Sequence, residues 1–209
     1  MGVITKIEEE TSKILIVEGK EDEMMFSTLL NFLQIEGIQI MPIGGKQKIR
    51  EGMSALIKQP NFSNILSLGI IRDGDDNPSG AFASVCSALE NAMLPVPKAP
   101  LIIADGDLRV SVMILPDGKR CGALEDICLK SVEEDGAIPC VEKYFQCLAK
   151  KGIHVPTDKH SVAISKAKVH VFLASRKDPD KRLGEAAKAN YWNLESPVFG
   201  LVKQFLQAL

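Results

Sequence analysis

Lys13-Ile14-Leu15-Ile16-Val17-Glu18-Gly19-Lys20-Glu21-Asp22 is the stretch on which the fold turns. Ile14 to Val17 is an unbroken apolar run, mostly β-branched, and Glu18-Gly19 ends it. A run this short is a strand buried on both faces, the kind found in parallel sheets. Over 21–35, Met25, Leu29, Phe32 and Leu33 then share one helical face, and Gly37 stops the helix. The alternation repeats. A strand over 38–43 leads through Gly44-Gly45 to a helix over 46–58. A strand over 64–71 runs into Arg72-Asp73-Gly74-Asp75-Asp76, and Pro78 or Ser79 opens a helix reaching about residue 93. This order predicts an α/β fold with a mainly parallel sheet. Right-handed crossovers place helices on both faces.

Beyond a break at Pro95, Pro97 and Pro100, strands are expected over 101–104 and 109–115, as a hairpin around Asp105-Gly106. After Gly122 the pattern is helical, with helices expected over 124–132, 141–150, 160–175, 183–189 and 197–209. The expected organisation is one domain over 1–209. It has an α/β core over 13–115 and a helical extension over 122–209 packed on it.

A hydrophobic fraction of 45% excludes global disorder. No apolar run approaches the ~20 residues of a membrane helix. Residues 1–10 carry three glutamates and no apolar core, so no secretory signal is read there. Five cysteines without a CxxC pair read as free thiols of a cytoplasmic protein, with no zinc site. The net charge of −2 conceals an asymmetry. From Lys143 to Lys188 eleven Lys/Arg face four acids, a net +7, which leaves −9 elsewhere. The basic segment reads either as a solvated helical face or as a footprint for a polyanion.

In open parallel sheets, sites form at the carboxyl ends of the strands. One such end offers Glu18, with Asp22 in the first turn of the next helix. The other offers Asp73, Asp75 and Asp76. If the first and third strands are neighbours, these carboxylates meet. A group of carboxylates suits a hard divalent cation, Mg²⁺ or Mn²⁺, and phosphoryl chemistry. Asp105-Gly106-Asp107 has a similar composition but lies between hairpin strands and is read as a turn.

The segment from Ile14 to Asp22 resembles the first motif of Toprim domains, a strand followed by Glu-Gly. Ile70-Ile71-Arg72-Asp73-Gly74-Asp75 resembles their second, a strand followed by Asp-x-Asp. The resemblance covers about half of the chain, roughly 13–115. It implies a Toprim/Rossmann-like sheet, with Glu18 as metal ligand or general acid/base and Asp73 and Asp75 as metal ligands. The spacing from Glu18 to Asp22 is similar to the nuclease branch, that of OLD-family nucleases and ribosomal-RNA-maturing ribonucleases, which makes Asp22 a further ligand. Glu125 is similar in order to a later acid that helps hold a second metal. The whole chain also resembles a small standalone Toprim-like family of unassigned function. There Leu124-Glu125-Asp126 and Lys166-Ala167-Lys168 are expected to recur. The chain departs from topoisomerases in lacking a tyrosine in an evident site context. It departs from primases in lacking a zinc ribbon, and from full-length OLD proteins in lacking a Walker A motif.

The resemblance makes a Mg²⁺- or Mn²⁺-dependent nuclease or phosphotransferase on nucleic acid the leading expectation. The alternative is a catalytically idle, metal-binding regulatory module working with a partner such as a separate ATPase. A homo-oligomer fits either. A phosphatase on an open α/β sheet fits less well, since it needs Asp where Glu18 stands. Lys166, on one face with His170, and Lys168 are the candidates to neutralise charge on the scissile phosphate. Gly44, Gly45 and Lys46 form either a phosphate-binding helix start or a turn that only glycine permits. Arg50 and Arg72 are further phosphate candidates whose direction the sequence leaves open.

Overall fold

The computed structural model describes residues 6–156 and 162–209, without the side chains of Lys46 and Val162. Four strands, β1 (Lys13–Val17), β2 (Ile38–Pro42), β3 (Ser67–Asp73) and β4 (Arg109–Leu115), form one sheet in the order β2-β1-β3-β4. Every pairing is parallel. Helices α1 (Lys20–Phe32), α2 (Ile49–Leu56) and α3 (Pro78–Asn91) make the crossovers. The rest of the described chain is helical: α4 (Leu124–Ser131), α5 (Ile138–Lys150), α6 (Val162–Ala174), α7 (Leu183–Lys188) and α8 (Gly200–Gln207). The expected α/β architecture is therefore present.

The strands alternate between two cores, as a two-residue side-chain period requires. Ile14, Ile16, Leu68, Ile70, Val110, Val112 and Ile114 face α2 and α3. Leu15, Val17, Ile71, Met113 and Leu115 face α1 and the helices after residue 122. The C-terminal helices are thus part of the second layer, where Phe172, Trp192, Phe199 and Phe205 are buried. Trp192 stacks on Phe172 and donates from Nε1 to the Leu183 carbonyl, 2.9 Å away. Gly69 of β3 lies under Leu209, and a Cβ there would stand 2.7 Å from the leucine methyl, so a side chain at this point would require Leu209 to shift.

Three expectations are corrected. Residues 101–104 form no strand. Leu101 takes a φ of +66°, and only Ala104 makes an antiparallel bridge, to Val110, so the hairpin is reduced to one rung beside a parallel sheet. The helix expected over 46–58 divides into a 3-10 turn at Lys46–Lys48 and then α2. The strand expected from residue 64 begins at Ser67, because Pro60–Asn64 winds into a 3-10 turn. Of the cysteines in the later helices, Cys128 is buried, while Cys140 and Cys147 are exposed. The expected start of the third late helix, at His160, lies outside the described residues.

A candidate carboxylate site at the carboxyl edge of the sheet

β1 and β3 are neighbours, so the two acidic strand ends lie side by side. Ile16 pairs with Ile70. Two residues further on, Glu18 falls opposite Arg72, and the Arg72 Nε lies 3.5 Å from Glu18 Oε1. The parity that sends Ile70 toward α2 and α3 sends Arg72 the same way, and it sends Asp73 toward α1 and α4. The acids therefore straddle the sheet edge, with Glu18 and Asp73 approaching it from opposite faces.

On the α1 side, Asp22 is set by a helix start. Its Oδ2 accepts from the Gly19 N–H at 2.8 Å, closing the first turn of α1. α4 begins in the same way, with Asp126 Oδ2 accepting from Ala123 N–H at 2.7 Å. Its other oxygen takes the Ser165 hydroxyl of α6 at 2.6 Å. The start of α4 is pinned over β3, because the Leu124 N–H donates to Asp73 Oδ1 at 3.0 Å. That contact brings Glu125, the next residue, into the field of Asp73.

Gly74 is required for this turn. Its N–H donates to the Leu115 carbonyl at 3.0 Å, and an added Cβ would stand 2.7 Å from that oxygen. Asp75 follows with a φ of +46°, fixed by paired backbone hydrogen bonds with Gly122 at 2.9 Å each. Asp76 faces solvent.

The electrostatics mark the cluster as strained. Burial pushes the Asp73 carboxyl well above the usual range, and Glu18, Asp22 and Glu125 push it further. The Leu124 amide opposes them only in part. Burial also raises Glu18, offset by the Arg72 guanidinium, with Asp22 and Asp75 adding to the rise and the Asp73 amide lowering it. Asp22 and Glu125 are raised by burial too, each opposed by Lys166. Like charges brought together in a poorly solvated place favour protonation or a cation.

Glu18 Oε1, Arg72 Nε and Glu125 Oε2 are buried with no hydrogen-bond partner. The Glu18–Arg72 approach is thus an attraction without an aimed hydrogen. Two orphaned carboxylate oxygens beside buried acids are a donor set chemically suited to a hard divalent cation. Among the described residues, no three acidic, histidine or cysteine side chains converge on one point as placed. The opposite parity of Glu18 and Asp73 accounts for their part in that.

The lysines separate. Lys166 Nζ lies 3.9 Å from Glu125 Oε1, at the rim of the cluster. Lys168, two residues on and therefore on another face of α6, pairs with Glu142 of α5 at 2.6 Å. Arg176, Lys181 and Arg182 also find acids, Asp135, Asp178 and Glu21 respectively. Five of the eleven basic residues of the segment are thus paired with acids within the protein, and these five form no bare cationic stripe. At Gly44-Gly45, φ values of +80° and +113° account for both glycines. The Gly45 N–H donates to the Glu18 carbonyl at 2.8 Å, so that amide is committed to holding the end of β1. Lys46 opens the 3-10 turn that follows.

Sequence reasoning named Glu18, Asp22, Asp73, Asp75 and Glu125. It missed that Arg72 lies against Glu18, and that Asp126 and Ser165 tie α6 to the site. One signal for Asp126 was present, since Ala123 to Asp126 repeats the spacing of Gly19 to Asp22.

A family model described as "Protein of unknown function (DUF3226)" matches residues 12–209. The chain belongs to this family. The match spans the sheet, the carboxylate cluster and every late helix, so the C-terminal helices are part of what defines a DUF3226 protein. No curated protein matches the chain. Among solved structures, the chain is similar to the crystal structure of a hypothetical protein, PH0156, from Pyrococcus horikoshii OT3. The identity is 16% and the TM-score 0.58, over 93% of this chain and 98% of that one. At that identity the likeness concerns the fold. No described helix is long and apolar enough to cross a membrane.

Proposed function

We propose that the protein is a Toprim-type enzyme of the nuclease branch that processes nucleic-acid phosphodiesters with Mg²⁺ or Mn²⁺. One observation carries the reading. Glu18, Asp22, Asp73 and Glu125, from four neighbouring segments, lie part-buried at the carboxyl edge of a parallel sheet, and desolvation pushes each up in pKa. A structural network would pair such acids off, whereas here two carboxylate oxygens are left without partners.

Asp73 would be the central ligand, with Asp22 and Glu125 on its face of the sheet and Glu18 and Asp75 from the other side. Bound there, the cation would supply positive charge against the phosphate and ease deprotonation of a water. Glu18, raised by burial yet restrained by Arg72, would be the group to accept or return a proton. Lys166, half exposed at the rim, would meet charge on the phosphate. Leu124 and Gly74 hold Asp73 through helix and turn geometry, so that it does not swing away.

The test is incubation of the full chain with plasmid DNA, single-stranded DNA and RNA in Mg²⁺ or Mn²⁺, beside Glu18→Gln and Asp73→Asn. Cleavage lowered about 100-fold or more by each substitution is expected. Cleavage that survives both sinks the assignment. The second reading, an idle regulatory module, draws on the ion pairs that Arg72 and Lys166 make with the acids. Cation binding without cleavage of any substrate would favour it.

A further inference from the structure

On the α2–α3 side of the same edge lies a pocket of about 380 Å³ lined by Gln47, Ile49, Arg50, Arg72, Ser84 and Ser87. Two guanidinium groups, two hydroxyls and an amide meet there, and no acid lines the pocket. Arg50 comes from the first turn of α2, and its Nη2 lies 3.5 Å from Ser87 Oγ. Ser84 and Ser87 are three apart on α3 and share a face. Arg72 also lines the pocket; its Nη1 donates to the Ala81 carbonyl at 3.2 Å, while its buried Nε faces Glu18.

This is the donor set of an oxyanion site. Guanidinium groups bind phosphate through paired N–H donors, and serine hydroxyls complete the shell. The volume is at the small end for ligand pockets, enough for a phosphate group with part of a sugar. A phosphate monoester, with its second charge and extra terminal oxygen, gains more from two guanidinium groups than a diester does, even though Arg72 shares its charge with Glu18, 3.5 Å from its Nε. Arg72 also touches Glu18, so one guanidinium separates this pocket from the carboxylate cluster.

We propose that the pocket anchors the terminal phosphate monoester of a nucleic-acid strand, placing the first phosphodiesters of that strand beside the carboxylates. The strand assignment rests on the nuclease reading; the oxyanion chemistry of the pocket does not.

The experiment uses the full chain without divalent cations. Fluorescence anisotropy follows ten-nucleotide strands carrying a 5′-phosphate, a 3′-phosphate or neither, with inorganic phosphate as competitor. One phosphorylated end should bind about tenfold more tightly than the plain strand. Arg50→Ala and the pair Ser84→Ala with Ser87→Ala should each erase that preference, and Arg50→Lys should keep part of it. Arg50 is exposed, so its replacement leaves the core intact. Equal binding of all three strands by wild type, or a preference that survives Arg50→Ala, overturns the anchor. Inorganic phosphate binding that is lost with Arg50 while strands are bound alike would show a site for free phosphate and overturn the strand assignment. Cleavage by wild type that Glu18→Gln abolishes, with no terminal preference, sinks the anchor and spares the nuclease reading. A terminal preference with no cleavage does the reverse.

Discussion

The chain contains the tripeptide Asp-Gly-Asp twice, and the two copies have opposite fates. Asp73-Gly74-Asp75 leaves the carboxyl end of β3, and Asp105-Gly106-Asp107 precedes the amino end of β4. In the first, Asp73 is enclosed, bonded to the start of α4 and pushed well above its usual pKa. In the second, the Asp105 side chain is 87% exposed and meets only Arg109, at 3.7 Å. Gly74 sits where a Cβ would strike a backbone oxygen, while Gly106 has its nearest neighbour at an ordinary 3.9 Å. Composition is identical; the end of the parallel strand makes the difference. At the carboxyl end, the following crossover and the incoming α4 wall the turn in. At the amino end nothing covers it.

The widest gap between the copies should appear in catalysis. Asp73→Asn is expected to lower phosphodiester cleavage about 100-fold or more, and Asp105→Asn to leave it unchanged, in a steady-state assay with Mg²⁺. Equal effects would break the comparison. Next in size is the response to cation. Mg²⁺ or Mn²⁺ at about 100 times its Kd should stabilise wild type by about 2.7 kcal/mol in thermal unfolding, and Asp105→Asn equally, but Asp73→Asn much less. Gly74→Ala should cost about 1–3 kcal/mol in denaturant unfolding, since the colliding partner is backbone. Gly106→Ala should stay within about 0.5 kcal/mol.

The smallest effect concerns charge without cation. Asp73 has a folded pKa above its ordinary 3.8. Below that ordinary value both folded and unfolded states hold the proton, and the group contributes nothing. As pH rises past it, the unfolded chain releases the proton first, so stability falls until the raised folded value is passed. Asp73→Asn should therefore match wild type near pH 3.5 and exceed it at pH 7, by on the order of 1 kcal/mol or about 2–4 °C in Tm. Asp105→Asn should show no such divergence. A gap independent of pH would remove burial of charge as its cause.

What the sequence disclosed follows the same line. Strands buried on both faces have a continuous apolar signature, so Ile14 to Val17 and the run before Arg72 were readable, and with them the acids at their ends. Residues 101–104 misled because Leu101, Ile102 and Ile103 look like a strand, although Leu101 takes a left-handed conformation that interrupts one. The pairing of Glu18 with Arg72 was hidden, since it depends on the register between strands 50 residues apart in the chain. The α4–Asp73 contact was hidden for a similar reason: a backbone N–H carries no residue signature.

The Glu18–Arg72 approach has one more consequence. A side chain shared by two neighbouring sites makes them a single linked system. A positive charge arriving at Glu18 loosens its hold on the guanidinium and leaves more of it for an anion on the far side. By reciprocity, an anion there must strengthen cation binding by the same factor. With both proposed sites filled, the two affinities would be one coupling constant read from either end, and Arg72 the residue through which it passes.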